Sequence, residues 1–262
     1  MIKWTFSILL FCVFPFSSFS DLMTDFSGGT LDPGVNLDVP NAGLATISLD
    51  TTNNELDMTT TGNTDMWTAR NNAPMAWTSR PVVTSGQTWY AETFVRYNGA
   101  ADGAQRVAGI TLWPGPDGTG GSSGGMDFSL GINDWDNRGV EFQGWGASFI
   151  GDTGLRNIPA TVNNESAAHL RLEVTENGAS DAYVGYWKAN LADPWIQFAS
   201  FNSAVDNTRV GLFFKNGGLT VPADRSASFE YFNVRVIPEP SAMALFGLGS
   251  VMLLLRCRGL RG

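Results

Sequence analysis

Side chains able to do acid–base or nucleophilic chemistry are sparse in this sequence, and their spacing builds no complete catalytic set. Retaining hydrolysis of a glycosidic bond takes two carboxylates about 5 Å apart, which i and i+2 positions on one strand face can supply. Glu92 stands alone in Tyr90-Ala91-Glu92-Thr93-Phe94, and Glu141 is followed two places on by Gln143. Asp134 and Asp136 have the spacing, but Asn133-Asp134-Trp135-Asp136-Asn137 reads as a turn. A serine triad needs a histidine base. His169 is the single histidine, it opens a strand, and no Gly-x-Ser-x-Gly elbow accompanies it. It is expected to be an exposed strand residue, and one histidine excludes the usual multi-histidine zinc site. A tyrosine or histidine base near an arginine is the lyase alternative. Tyr90, Tyr183 and Tyr186 with Arg96, Arg138 or Arg171 supply the groups, though their order does not gather them.

Material for binding is richer. Eight tryptophans lie within Asp21–Pro238. A flat exposed indole matches the C–H face of a sugar ring and loses little conformational entropy in doing so. Trp135 is flanked by Asn133 and Asn137, whose amides can bond hydroxyls, and Trp145 sits between Gly144 and Gly146. Trp113, beside a glycine-rich loop, is the third expected carbohydrate contact, whereas Trp89 and Trp187 are expected in the core. Asp134 and Asp136, with Asn133 and Asn137, are the candidate ligands for a structural Ca²⁺, which prefers clustered oxygens. No other cofactor is expected.

The elements that must position these residues follow a period of two. In His169-Leu170-Arg171-Leu172-Glu173-Val174 the apolar residues face in and His169, Arg171 and Glu173 face out. Similar runs are Ala45–Leu49, Glu55–Thr60, Thr88–Arg96, Val107–Trp113, Asp127–Ile132, Val140–Gln143, Ala182–Trp187, Ile196–Phe201, Val210–Phe214 and Phe229–Val236. Asn53-Asn54, Ser85-Gly86, Asn98-Gly99, Asn177-Gly178 and Asn216-Gly217-Gly218 separate them as turns. The expectation is one all-β domain over residues 21–236, a two-sheet antiparallel jelly-roll sandwich. Pro114–Gly125 reads as a loop; no helix or lysine follows it, which excludes a phosphate cradle.

The ends read as targeting segments. Met1–Ser20 has Lys3, a short apolar run and small residues before Asp21, the layout of a secretory signal peptide. At the other end, Pro238-Glu239-Pro240 precedes an uncharged stretch, Ser241–Leu255, and then Arg256, Arg258 and Arg261. As a helix the stretch covers about 22 Å, short of a roughly 30 Å hydrocarbon layer. The arginines would hold its far end in the cytoplasm, so the domain is expected outside, anchored by this helix before processing. Both cysteines, Cys12 and Cys257, lie in these segments, so the body has neither disulfide nor thiol chemistry. It holds 12 of the 16 basic residues and 24 of the 25 acidic ones, a surface that repels nucleic acid and anionic lipid.

Residues 237–262 resemble the Pro-Glu-Pro C-terminal sorting signal (PEP-CTERM) of exported bacterial proteins. The motif at Pro238, Glu239 and Pro240, the apolar stretch and the cluster at Arg256, Arg258 and Arg261 carry the resemblance. It implies an exosortase-type sorting enzyme as partner and a place at the cell surface or in the extracellular matrix. The body resembles the concanavalin A-like lectin/glucanase superfamily. Asp25-Phe26-Ser27-Gly28-Gly29, Val107–Leu112, Leu170–Val174, Val184–Trp187, Val210–Phe214 and Phe229–Val236 carry that likeness. Its members include lectins, glycosidases, polysaccharide lyases and adhesion modules, and often hold a structural Ca²⁺. The glucanases carry a Glu-x-Asp-x-(x)-Glu strand that this sequence lacks. The expected function is therefore non-catalytic contact with extracellular polysaccharide. The alternatives are a glycan-active enzyme with a dispersed site and a purely structural matrix protein.

Overall fold

A computed structural model describes residues 21–62, 64, 73–98, 106–113, 128–133, 139–144, 166–203, 208–217 and 225–238. They form two antiparallel sheets packed face to face, as the alternating pattern predicts. The larger sheet joins β1 (Leu22–Thr24), β3 (Ala45–Asp50), β4 (Glu55–Thr60), β6 (Thr88–Asn98), β10 (Ala167–Thr175), β11 (Asp181–Lys188), β12 (Ile196–Ser203) and β14 (Arg225–Ile237). Its order is β12-β11-β10-β6-β14-β4-β3, with β1 also paired to β14. The smaller joins β2 (Asn36–Asp38), β5 (Met75–Ser79), β7 (Arg106–Trp113), β8 (Phe128–Asn133), β9 (Gly139–Gly144) and β13 (Arg209–Asn216), in the order β2-β5-β13-β7-β8-β9.

The alternation on β6 shows why the larger sheet forms. Trp89, Ala91, Val95 and Tyr97 turn inward and are buried, while Tyr90, Glu92, Phe94 and Arg96 on the other face are half-exposed. Leu170, Leu172 and Val174 of β10 and Phe229, Phe232 and Val234 of β14 join them in the main core. Each such side chain contributes about 1.5–3 kcal/mol on burial. The tight β3–β4 connection is built by Asp50, whose carboxylate accepts the Thr52 N–H at 2.8 Å, and by Asn54 at φ 58°.

The smaller sheet departs from simple alternation. All eight residues of β7 are buried, because a second apolar cluster covers its far face: Ala73, Met75, Val107, Trp113 and Phe213, with Trp77 packed on it. Three short strands, β1, β2 and β5, lie outside the predicted runs. Met75–Ser79 has no alternation to read because both of its faces meet apolar groups. β1 brings the two ends of the body together: Leu22 pairs with Val234, and the Asp21 carboxylate accepts a bond from Arg235 Nε at 3.1 Å.

Candidate functional site

The outer face of the larger sheet carries a lattice of aromatic, cationic and acidic side chains. Three neighbouring strands, β10, β6 and β14, set it by register. His169, Phe94 and Tyr231 form one row, Arg171, Glu92 and Asn233 the next, Glu173, Tyr90 and Arg235 the third. Alternate residues on a strand share a face, so all nine stand on the same side. Arg171 is the hub. It pairs with Glu92, donates to Glu173 Oε1 at 3.3 Å, and lies 4.8 Å from the Tyr90 ring centre and 4.5 Å from that of Trp195. Lys188 Nζ is also 4.5 Å from the Trp195 ring. Cations over indole and phenol faces each contribute about 0.5–2 kcal/mol, so Trp195 and Tyr90 are held in fixed orientations.

His169 is a correction to the expected exposed residue: it is only 6% exposed. Its Nδ1 lies 3.0 Å from the Tyr231 hydroxyl, and its ring is tilted against Phe94 at 4.7 Å. Burial, then the charge of Lys188, lowers its pKa to about 4, so the imidazole is neutral at pH 7. Burial, reinforced by Glu92 and Glu230, pushes the Tyr231 phenol well above its usual range. Glu92 likewise does not stand alone, since Arg171 bridges it to Glu173. These two carboxylates spend acceptor atoms on one guanidinium. Tyr183, a candidate base, is fully buried and stacked 5.1 Å from Phe201, out of reach of any polymer. Arg96 is committed to Glu55 and Glu230.

The far face of the smaller sheet has a different character. Gly109 pairs with Gly131 and Gly211 with Thr111, so its centre has a backbone floor. At one end Trp77 and Trp113 meet edge to face at 6.3 Å, with the Arg209 guanidinium 4.1 Å and 4.9 Å from their ring centres. Trp113 is thus a second correction: the expected open stacking surface is fully buried. Trp89 and Trp187 are in the core as expected, at 0% and 5% exposure. Asn133 ends β8 and pairs with Gly139, so residues 134–138 connect two neighbouring strands. Trp135, Trp145, Asn137, Asp134, Asp136 and Arg138 lie outside the described residues. Among the described residues no group of three or more His, Cys, Asp or Glu is placed to hold a metal ion.

At the chain's end, β14 runs through Ile237 and leads straight into Pro238-Glu239-Pro240. Residues 236–259 match the family model of the PEP-CTERM protein-sorting motif. The C-terminal segment is a PEP-CTERM sorting signal. PEP-CTERM signals mark export and sorting to the cell surface. The match begins at Val236, which pairs with Trp89 inside the sheet, so the PEP-CTERM segment adjoins the sandwich without a linker. Among the described residues no helix is long and apolar enough to cross a membrane, and the predicted helix 241–255 lies outside them, as does the predicted signal peptide 1–20.

No curated protein matches the chain. The sandwich is similar to a bifunctional GH43-CE protein of Bacteroides eggerthii, with TM-score 0.51 and 14% identity over 81% of this chain. The alignment covers 27% of that protein, so the chain spans about a quarter of its length. A functionally unknown protein from Saccharomyces cerevisiae aligns with TM-score 0.52 and 11% identity over 79% of this chain and 98% of that one. A lectin from Bauhinia forficata in complex with GalNAc aligns at 13% identity over 83% of this chain and 99% of that one, with TM-score 0.44. At these identities the likeness is one of fold: the body is a two-sheet antiparallel β-sandwich.

Proposed function

We propose that this surface-sorted sandwich contacts extracellular polysaccharide through the outer face of its larger sheet, without cleaving it. The observation that supports this reading is Arg171 held between Tyr90 and Trp195 and fixed by Glu92 and Glu173. Half-exposed rings beside planar hydrogen-bonding groups suit a sugar polymer, whose faces alternate apolar C–H patches with hydroxyls. Asn133, Trp135, Asn137 and Trp145 remain proposed contacts, and Asp134 and Asp136 proposed Ca²⁺ ligands. The PEP-CTERM tail is proposed to engage an exosortase-type enzyme, with its apolar stretch transiently in the membrane.

The test is a titration of the purified protein with extracellular polysaccharides, following tryptophan fluorescence and the length of the bound oligosaccharide. Trp195→Ala, Trp135→Ala and Trp145→Ala are run beside it. Saturable binding that is weakened in Trp195→Ala, with chain length unchanged, supports the proposal. Binding to no polysaccharide sinks it in favour of a structural role. Glycan cleavage is a second reading, favoured by the 3.0 Å approach of His169 Nδ1 to Tyr231 in the row next to Arg171. Shortened oligosaccharides that disappear in Tyr231→Phe would establish it.

A further inference from the structure

A cavity of about 330 Å³ opens at the end of the sandwich, away from the Arg171 lattice. That volume lies within the range of small-molecule sites. Pro81, Val82 and Val83 give it an apolar lining, and Arg80, Glu176 and Thr208 a polar one. Glu176 follows β10 directly, about 16 Å along the strand from Arg171.

The polar part is rigidly built. The Glu176 N–H donates to the Gln87 carbonyl at 3.0 Å, and its own carbonyl accepts from Gly86 at 2.6 Å. Its Oε1 accepts from Trp89 Nε1 at 3.0 Å and Arg80 Nε at 3.1 Å, and also from Arg80 Nη2. Among the described residues, Oε2 takes part in none of these bonds. Arg80 Nη2 also donates to Asp181 Oδ2 at 2.9 Å, while Asp181 Oδ1 accepts the Asn177 N–H at 3.0 Å. Two carboxylates therefore share one guanidinium, and the charge left over is negative. Arg209, next to the lining residue Thr208, is turned away over Trp77 and Trp113 and acts electrostatically on Asp38.

A fixed carboxylate oxygen that none of these donors reaches, beside net negative charge among the described residues, selects a cationic hydrogen-bond donor over a neutral or anionic one. The apolar lining selects the scaffold, and Val82, 84% exposed, supplies a flat contact at the rim. We infer that this cavity binds an amino sugar, its ammonium on Glu176 Oε2 and a ring face against Pro81, Val82 and Val83. The sugar scaffold rests on the proposed glycan function; the ammonium follows from the charge count. The location fits a surface-sorted protein. Thr175, next to Glu176, pairs with Thr88, and Thr88 pairs with Ile237 at the end of β14, so the cavity sits where the sorting tail leaves the body.

The test is calorimetric titration of the protein with glucosamine, N-acetylglucosamine, glucose and glucuronic acid at mildly acidic pH. Glucosamine is expected to bind at least about tenfold tighter than the other three, the scale of one charge-assisted hydrogen bond. Glu176→Gln removes the charge and is expected to abolish that preference. Val82→Lys places a competing ammonium at the rim of an exposed position, where folding is not at stake, and is expected to weaken glucosamine by a similar factor. Glucosamine binding that survives Trp195→Ala but not Val82→Lys assigns the ligand to this cavity. Equal affinity for glucosamine and glucose, or affinity untouched by both cavity variants, overturns the inference. Polymer binding lost only in Trp195→Ala bears on the sheet face and leaves the cavity's selectivity to be judged by glucosamine alone.

Discussion

The imidazole Nδ1 of His169 lies 3.0 Å from the phenol oxygen of Tyr231, joining two strands that flank β6 and do not pair with each other. The contact closes over the Phe94 ring and places a titratable group in a nearly dry layer on an outward sheet face. Lys188, which faces His169 from β11, and Asp193 in the following loop are the charges that act on it.

One consequence is a pH dependence of stability. Burial lowers the His169 pKa to about 4 from 6.5, so between these values the folded protein binds fewer protons than the unfolded chain. The stability associated with neutral His169 is complete above pH 6.5 and is lost as the pH falls through 4. Its size is about 1–3 kcal/mol. Urea denaturation at pH 7 and pH 4.5 should show a smaller loss on acidification for His169→Gln than for the parent. Equal losses would mean that the imidazole is solvated.

Arg171 should be worth more to its neighbours than to itself. Arg171→Ala leaves Glu92 and Glu173 facing each other without their shared cation and is expected to destabilise by about 2–3 kcal/mol. The double variant Glu92→Ala/Arg171→Ala should recover part of that loss. Arg171→Lys keeps the charge without the planar fork that stacks on Tyr90 and Trp195. It should therefore lower glycan affinity more than stability, a split read by denaturation and titration side by side.

Gly109 tests the backbone floor of the smaller sheet. A Cβ added there would stand 2.1 Å from the Leu130 carbonyl oxygen, which is backbone and cannot swing aside. Gly109→Ala is expected to prevent soluble expression or to cost more than about 3 kcal/mol. Gly185→Ala meets only the Phe142 ring, at 3.1 Å, and should cost about 1 kcal/mol. Melting temperatures of the two variants decide the order.

Asn54 offers the opposite sign. It holds φ 58° in the β3–β4 turn, a region open to glycine without strain. Asn54→Gly is expected to leave the midpoint unchanged or raise stability by up to about 0.5 kcal/mol, whereas Asn54→Val should cost about 1–2 kcal/mol.

The strands that were readable in advance are those with one wet and one dry face. Leu170, Leu172 and Val174 alternate with His169, Arg171 and Glu173, and the period of two follows directly from that contrast. Met75–Ser79 was not readable because Met75 and Ala76 are both buried, on opposite faces of a sheet covered on both sides. The cluster around Arg171 was half visible. His169, Arg171 and Glu173 read as outward-facing, but Glu92, Arg171 and Tyr231 lie on three strands whose order in the sheet is β10-β6-β14. Sequence distance carries no record of that order. Trp195 had no signal of its own beyond being a tryptophan after a proline.

By itself, the sequence determined the features whose physics is local. Those are the alternating strands, the Asn/Gly turns and the short charged and apolar motifs of the sorting tail, each legible within a dozen residues. Only the tertiary structure decided which outward-facing side chains became neighbours, that His169 is dry while Arg171 is half open, and that Trp113 is buried. Those outcomes depend on strand order, register and a second apolar cluster behind the smaller sheet. They are sums over contacts between segments far apart in the chain, such as Thr93 with Tyr231, 138 residues apart, and Asp21 with Arg235, 214 apart, which no local window contains.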